Sequence, residues 1–165
     1  MEVLYVEHPL ADDMHSPEVR LWALDRVYDE RSVRVYRARS GHKWCRNASP
    51  RELADGLIEE VTKRDLSVGE GLTFESSELN DMLLPPLPNF LFQRDPSSWI
   101  YDGVTLNPMA KAARRPETVF MEAIYRWHPM FACDGGVKVW HGGGEKDGGS
   151  AAAEGRQALG STSMW

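Results

Sequence analysis

The chain has 165 residues, 42% of them apolar, enough for one ordinary core, and a formal net charge of -6. That charge argues against a general nucleic-acid binder, because neutralising phosphates needs a surplus of Lys and Arg, whereas a cationic substrate would be attracted. Two cysteines, Cys45 and Cys133, make no disulfide framework and point to a reducing compartment, the cytoplasm.

The opening Met1-Glu2-Val3-Leu4-Tyr5-Val6 has few apolar residues and no basic lead, so neither a signal peptide nor a membrane span is expected. It reads as a strand whose sheet partners nothing upstream provides. Ser16-Pro17-Glu18 opens a helix with Ser16 as N-cap and Pro17 in the first position, running to about Arg31 with Val19, Leu21, Trp22, Leu24 and Val27 on its apolar side. The basic run from Ser32 to Ser40 fits neither flank and reads as a solvated loop or irregular strand. Ser49-Pro50-Arg51-Glu52 marks a second helix with a capping box, and Leu53, Leu57, Ile58 and Val61 form its stripe.

Three prolines between Asp81 and Pro88 predict an extended connection, and Phe90-Leu91-Phe92 reads as a buried strand. Asp102-Gly103, between Trp99-Ile100-Tyr101 and Val104-Thr105-Leu106, signals a hairpin. Arg115-Pro116-Glu117 starts a helix through about Trp127, with Val119, Phe120, Ala123, Ile124 and Trp127 facing inward and Pro129 stopping it. Val137 to Trp140 is a last strand. From Gly142 the chain is rich in glycine and poor in large apolar residues, so 142–165 are expected to be disordered, since glycine costs most to order.

Some motifs carry less than they suggest. His141-Gly142-Gly143-Gly144 resembles an oxyanion-hole sequence, but no nucleophile elbow follows, and the same glycines lack the Lys of a phosphate loop. Only His42-x-x-Cys45 has the spacing of a metal-ligand pair, with no second tight pair, so no metal site is expected. His128 reads as a helix C-terminal residue interacting with the dipole. Asn47-Ala48-Ser49 matches a glycosylation sequon but carries no weight in a cytoplasmic chain.

Asp95, in Pro88-Asn89-Phe90-Leu91-Phe92-Gln93-Arg94-Asp95-Pro96, is different. A guanidinium offers five N–H donors in a rigid fork, for which an ionised carboxylate is the natural acceptor. Taken alone, Arg94-Asp95-Pro96 is a turn. Followed by Asp102-Gly103-Val104-Thr105-Leu106-Asn107, Arg114-Arg115-Pro116-Glu117-Thr118 and His128-Pro129, it resembles one continuous block of bacterial arginine deiminases. Residues from Ser49 to Leu66 resemble the helical insertion that precedes that block in the same family.

The resemblance implies an α/β fold, a five-bladed propeller of the pentein type with an inserted helical bundle, of which this chain is expected to be a part. It assigns 1–80 to the end of a first propeller strand plus the insertion, 81–141 to a propeller module and 142–165 to an aberrant tail. It implies hydrolysis of L-arginine to L-citrulline and ammonia without metal or cofactor. Asp95 would bind the guanidinium, Asn89 and Arg114 the amino-acid end, with Arg114 facing the substrate carboxylate, and Phe92 would pack along the alkyl stem. A second guanidinium-binding carboxylate in a Glu-Gly-Gly-Asp motif would correspond to Glu154, although Glu154-Gly155-Arg156-Gln157 matches only at its first two residues. The family's His and nucleophilic Cys belong to segments without a match here, so the chain is expected to be an inactive internal piece. The parent enzyme could be a homo-oligomer. A reading-frame slip would account for the mismatched stretches 32–43 and 142–165. The alternatives are a non-catalytic fragment or pseudo-enzyme that at most binds arginine or a partner chain, or a relative of the same superfamily acting on another guanidine.

Overall fold

The computed structural model describes residues 4–27, 43–65, 78–133 and 136–142. The basic run, His42 and Glu154 lie outside them, as does the tail beyond Gly142.

Helix α1, Glu7–Asp13, was not legible in the sequence, and Leu4 to Val6, expected as strand, lead into it without joining a sheet. The Tyr5 and Val6 carbonyls are instead taken by the His8 and Leu10 N–H groups. Helix α2, Pro17–Val27, buries Val19, Ala23 and Leu24. Leu21, assigned to its apolar side, is 54% exposed. Two residues along a helix turn the side chain by about 200°, so Leu21 cannot share the face of Val19 and Ala23. After a helical stretch at 43–47, helix α3 spans Pro50–Ile58. Its capping box forms as expected: the Glu52 N–H donates to Ser49 Oγ and the Ser49 N–H to Glu52 Oε2. An N-cap of this kind contributes about 1 kcal/mol.

The chain leaves helix α3 sooner than the stripe through Val61 suggested. Val61–Thr62 form strand β1, antiparallel to β2 (Met82–Leu84). Both β1 residues are β-branched, and Asp65 Oδ2 accepts from the Thr62 N–H and hydroxyl, offering the backbone an alternative to another helical turn.

The second sheet orders three strands β3-β4-β5, namely Ser97–Ile100, Gly103–Leu106 and Lys138–His141. β3 and β4 form an antiparallel hairpin, and β5 returns parallel to β4 after helix α4 (Arg115–Trp127) and the short α5 (Pro129–Ala132). Ile100 pairs with Gly103, so the two-residue turn is Tyr101-Asp102, one residue earlier than the sequence signal placed it. Tyr101 takes the left-handed conformation, φ 54°. Gly103 is held in the strand for space: a Cβ there would lie 2.5 Å from the Lys138 carbonyl oxygen and 2.6 Å from Trp140 Nε1. The Trp140 indole N–H crosses to the Ile100 carbonyl at 3.0 Å.

Helix α4 buries Phe120, Ala123 and Ile124 as expected, and also Glu117, Met121 and Tyr125. It lies on β4 and receives α1 and α2 on its other sides. Trp22 of α2 meets Trp127 of α4 edge to face, ring centroids 4.7 Å apart. Pro129 begins α5 as well as ending α4. His128 between them turns its Nδ1 to the Met130 N–H and so caps the following helix, a role the dipole reading missed.

Candidate functional site

The largest departure from expectation falls at Phe90-Leu91-Phe92, which is a run of turns and no strand. The Phe92 N–H donates to the Asn89 carbonyl, the Asp95 N–H to Phe92 and the Ser97 N–H to Gln93. Each such bond folds the backbone back on itself, which a strand cannot do. Pro88 and Pro96 bracket the run and supply no donor for a ladder. Only Phe90 enters the core, edge-on to Phe120, whereas Leu91 and Phe92 are 86% and 57% exposed.

These turns wall an open cleft of about 1280 Å³, to which Asn89, Phe92, Gln93 and Arg94 contribute together with Tyr5, Val6, Met121 and Tyr125. Asn89 and Phe92 thus share one cavity, apolar at Phe92 and polar at Asn89. Asp95 and Arg114 are outside that lining and meet each other.

Asp95 is positioned from behind by Asn107, at the end of β4. The Asn107 side-chain amide donates to the Asp95 carbonyl at 3.0 Å, its backbone N–H to the Pro96 carbonyl at 2.8 Å, and its own carbonyl accepts from the Thr118 hydroxyl at 2.7 Å. The hairpin and the start of α4 therefore fix one short segment together.

On the side-chain side, Arg114 Nη2 donates to Asp95 Oδ2 at 2.9 Å. Arg114 is the N-cap of α4, and Glu117 stands one turn on. Glu117 is fully buried and grips the same guanidinium: Arg114 Nε lies 3.0 and 3.1 Å from Glu117 Oε1 and Oε2, and Nη2 lies 2.8 Å from Oε2. The Glu117 hydrogen bonds first, and Asp95 second, hold Arg114 protonated above its ordinary range. Glu117 also sits in the first turn of its helix, where the dipole favours negative charge. Sequence reasoning missed this residue, because an acid at a helix start is normally solvated. The i,i+3 spacing of Arg114 and Glu117 was the available signal.

The structure thus brings Asp95 and Arg114 into contact and places Asn89 and Phe92 together in the adjoining cleft. Asp95 remains 48% exposed, and no described residue donates to its Oδ1. Of the two thiols, Cys45 is fully buried in the core and Cys133 donates to the Pro129 carbonyl at 2.6 Å. Among the described residues no group of three or more His, Cys, Asp or Glu side chains could hold a metal ion, and no helix is long and apolar enough to cross a membrane.

A family model described as arginine deiminase matches residues 1–159. The match runs through the Asn89–Asp95 turns, the hairpin and the Arg114–Glu117 helix start, and the chain accordingly belongs to the arginine deiminase family.

Proposed function

We propose that this chain carries part of the substrate site of a cytoplasmic arginine deiminase, an enzyme hydrolysing L-arginine to L-citrulline and ammonia. In this reading 81–141 form one module of a five-bladed propeller and the helices before residue 80 belong to its inserted bundle. The unit β3-β4-α4-β5, a hairpin followed by a helix and a parallel strand, supports this reading as a self-contained strand-and-helix module that could be repeated.

The observation that carries the reading is the Arg114–Asp95 contact inside the region the family model matches. It supports Asp95 as a carboxylate poised to accept a guanidinium, with Oδ1 available to a second one. Phe92 offers an apolar surface to the substrate's methylenes, and Asn89 and Arg114 offer donors to its amino-acid end.

The chemistry explains why binding groups alone do not suffice. A guanidinium is delocalised and a poor electrophile, so deimination uses a thiolate that adds to the guanidinium carbon. Ammonia leaves as the tetrahedral adduct collapses, and water then displaces the sulfur to give the ureido group, with a His moving the protons. Neither thiol of these 165 residues suits that role. A nucleophile must be an accessible thiolate, whereas Cys45 is enclosed, and the surroundings of Cys133, Phe-Ala-Cys-Asp, do not resemble those of the family's nucleophile.

Titration of the 165-residue chain with L-arginine, with citrulline assayed in parallel, tests both halves. Saturable binding without citrulline is expected. Citrulline formation lost in Cys133→Ser would overturn the assignment of the nucleophile to another segment. Absence of arginine binding would overturn the site itself and favour a non-binding relative.

A further inference from the structure

The guanidinium of Arg114 has five N–H donors, and the structure accounts for three of them. The single Nε proton is shared between the two Glu117 oxygens, and the two Nη2 protons go to Glu117 Oε2 and Asp95 Oδ2. Nη1, with two donors, has no partner among the described residues. Because the group is planar, fixing the Nε/Nη2 edge fixes the direction of Nη1. Glu117 can impose that direction because it is itself immobile: fully buried, one turn into a helix whose Phe120 and Ile124 are in the core.

We infer that Glu117 is a positioning residue that aims Arg114 Nη1 at the carboxylate of the substrate, so that the site distinguishes L-arginine from guanidines lacking that group. The inference rests on the arginine-binding reading above, and its residue roles are separate from that of Asp95. Glu117 touches no substrate. Its contribution is to remove the rotamer freedom that an unrestrained arginine would lose on binding. Asp95 holds the same guanidinium from the solvent side, so the fork is clamped between a buried and an accessible carboxylate.

The test compares L-arginine with agmatine, its decarboxylated analogue, on the wild-type chain and on Glu117→Gln, which keeps size and loses charge. Wild type should prefer L-arginine by about tenfold or more, the scale of one charge-assisted hydrogen bond. Glu117→Gln should lose most of that preference while agmatine affinity stays within about threefold, because the segment of Asp95, which takes the ligand's guanidinium, is fixed by Asn107 independently of Glu117. A merely structural role would weaken both ligands alike and leave their ratio unchanged, which would overturn the inference. Equal wild-type affinity for the two ligands would also overturn it.

Should Glu117→Gln fail to fold, ¹⁵N NMR of the wild-type arginine side chains decides. Arg51 Nε also donates to a carboxylate, Asp55 Oδ2 at 2.9 Å, but that pair is exposed. Slow exchange of the Arg114 Nε–H relative to that of Arg51 is expected, and equal exchange would overturn the clamp. A chain that binds neither ligand yet keeps the slow Arg114 Nε–H would refute the arginine site and leave the clamp standing.

Discussion

Asp95→Asn should weaken L-arginine binding by roughly 10- to 100-fold, corresponding to ~1.5 to 3 kcal/mol for a hydrogen bond to a charged group. The substitution preserves shape but removes the charge and turns one acceptor into a donor facing N–H groups. Stability should change little, by ~1 kcal/mol or less, because the Asp95–Arg114 pair is partly exposed and Arg114 keeps both oxygens of Glu117. The control is Asp102→Asn in the hairpin turn, whose carboxylate is 71% exposed and 3.9 Å from Lys138 Nζ. Asn tolerates that turn, so binding and melting should both stay near wild type. Calorimetric titration and thermal melts of the two variants give the comparison. Equal loss of fold in both would mean that Asp95 serves only as a turn residue.

Asp13 should make the chain less stable as pH rises from about 4 to 7. It is the last residue of α1, nearly enclosed, and its Oδ2 has no hydrogen-bond partner. Burial first, and neighbouring Asp12 second, push its carboxyl up to about 7. The folded chain therefore holds a proton that the unfolded chain releases near its ordinary value, and unfolding gains with each step in pH across that window. Stability is fully present below pH ~4 and is lost as pH climbs through about 7, with a ceiling of ~4 kcal/mol at ~1.4 per pKa unit. Asp13→Asn should flatten the profile and stabilise the chain at pH 8. Denaturant midpoints at pH 5 and 8 for both proteins measure this, and parallel profiles would remove Asp13 as the cause.

Features set by a few adjacent residues were legible in the sequence. The capping box at Ser49 and Glu52, and helix α4 between Arg115 and Trp127, formed where capping and proline chemistry placed them. Phe90-Leu91-Phe92 misled because a short apolar run looks alike as a strand or as a turn exposing two of its three side chains. The β1–β2 pair was invisible, since two- and three-residue strands carry no periodicity and are made by a partner distant in sequence. Asp95 and Arg114 stood out through their family motif, but their mutual contact did not, nor did the enclosed Glu117 that holds Arg114. For Asp13, the sequence offered two adjacent aspartates 100° apart on a helix, and only packing decides which of them loses its water.

The parallel return of β5 has a kinetic consequence. The β3–β4 hairpin closes over two residues and can form within ~1 to 10 μs, whereas β5 must wait until the chain holding α4 and α5 has been laid across the sheet. Gly142 follows β5 at φ 86°, against the Leu106 carbonyl so closely that a Cβ would lie 1.8 Å from the oxygen. That contact can close only after the rest of the unit is in place. In hydrogen exchange the β5 amides should open before those of α4, making the β5 end the point at which this unit both finishes folding and first comes apart.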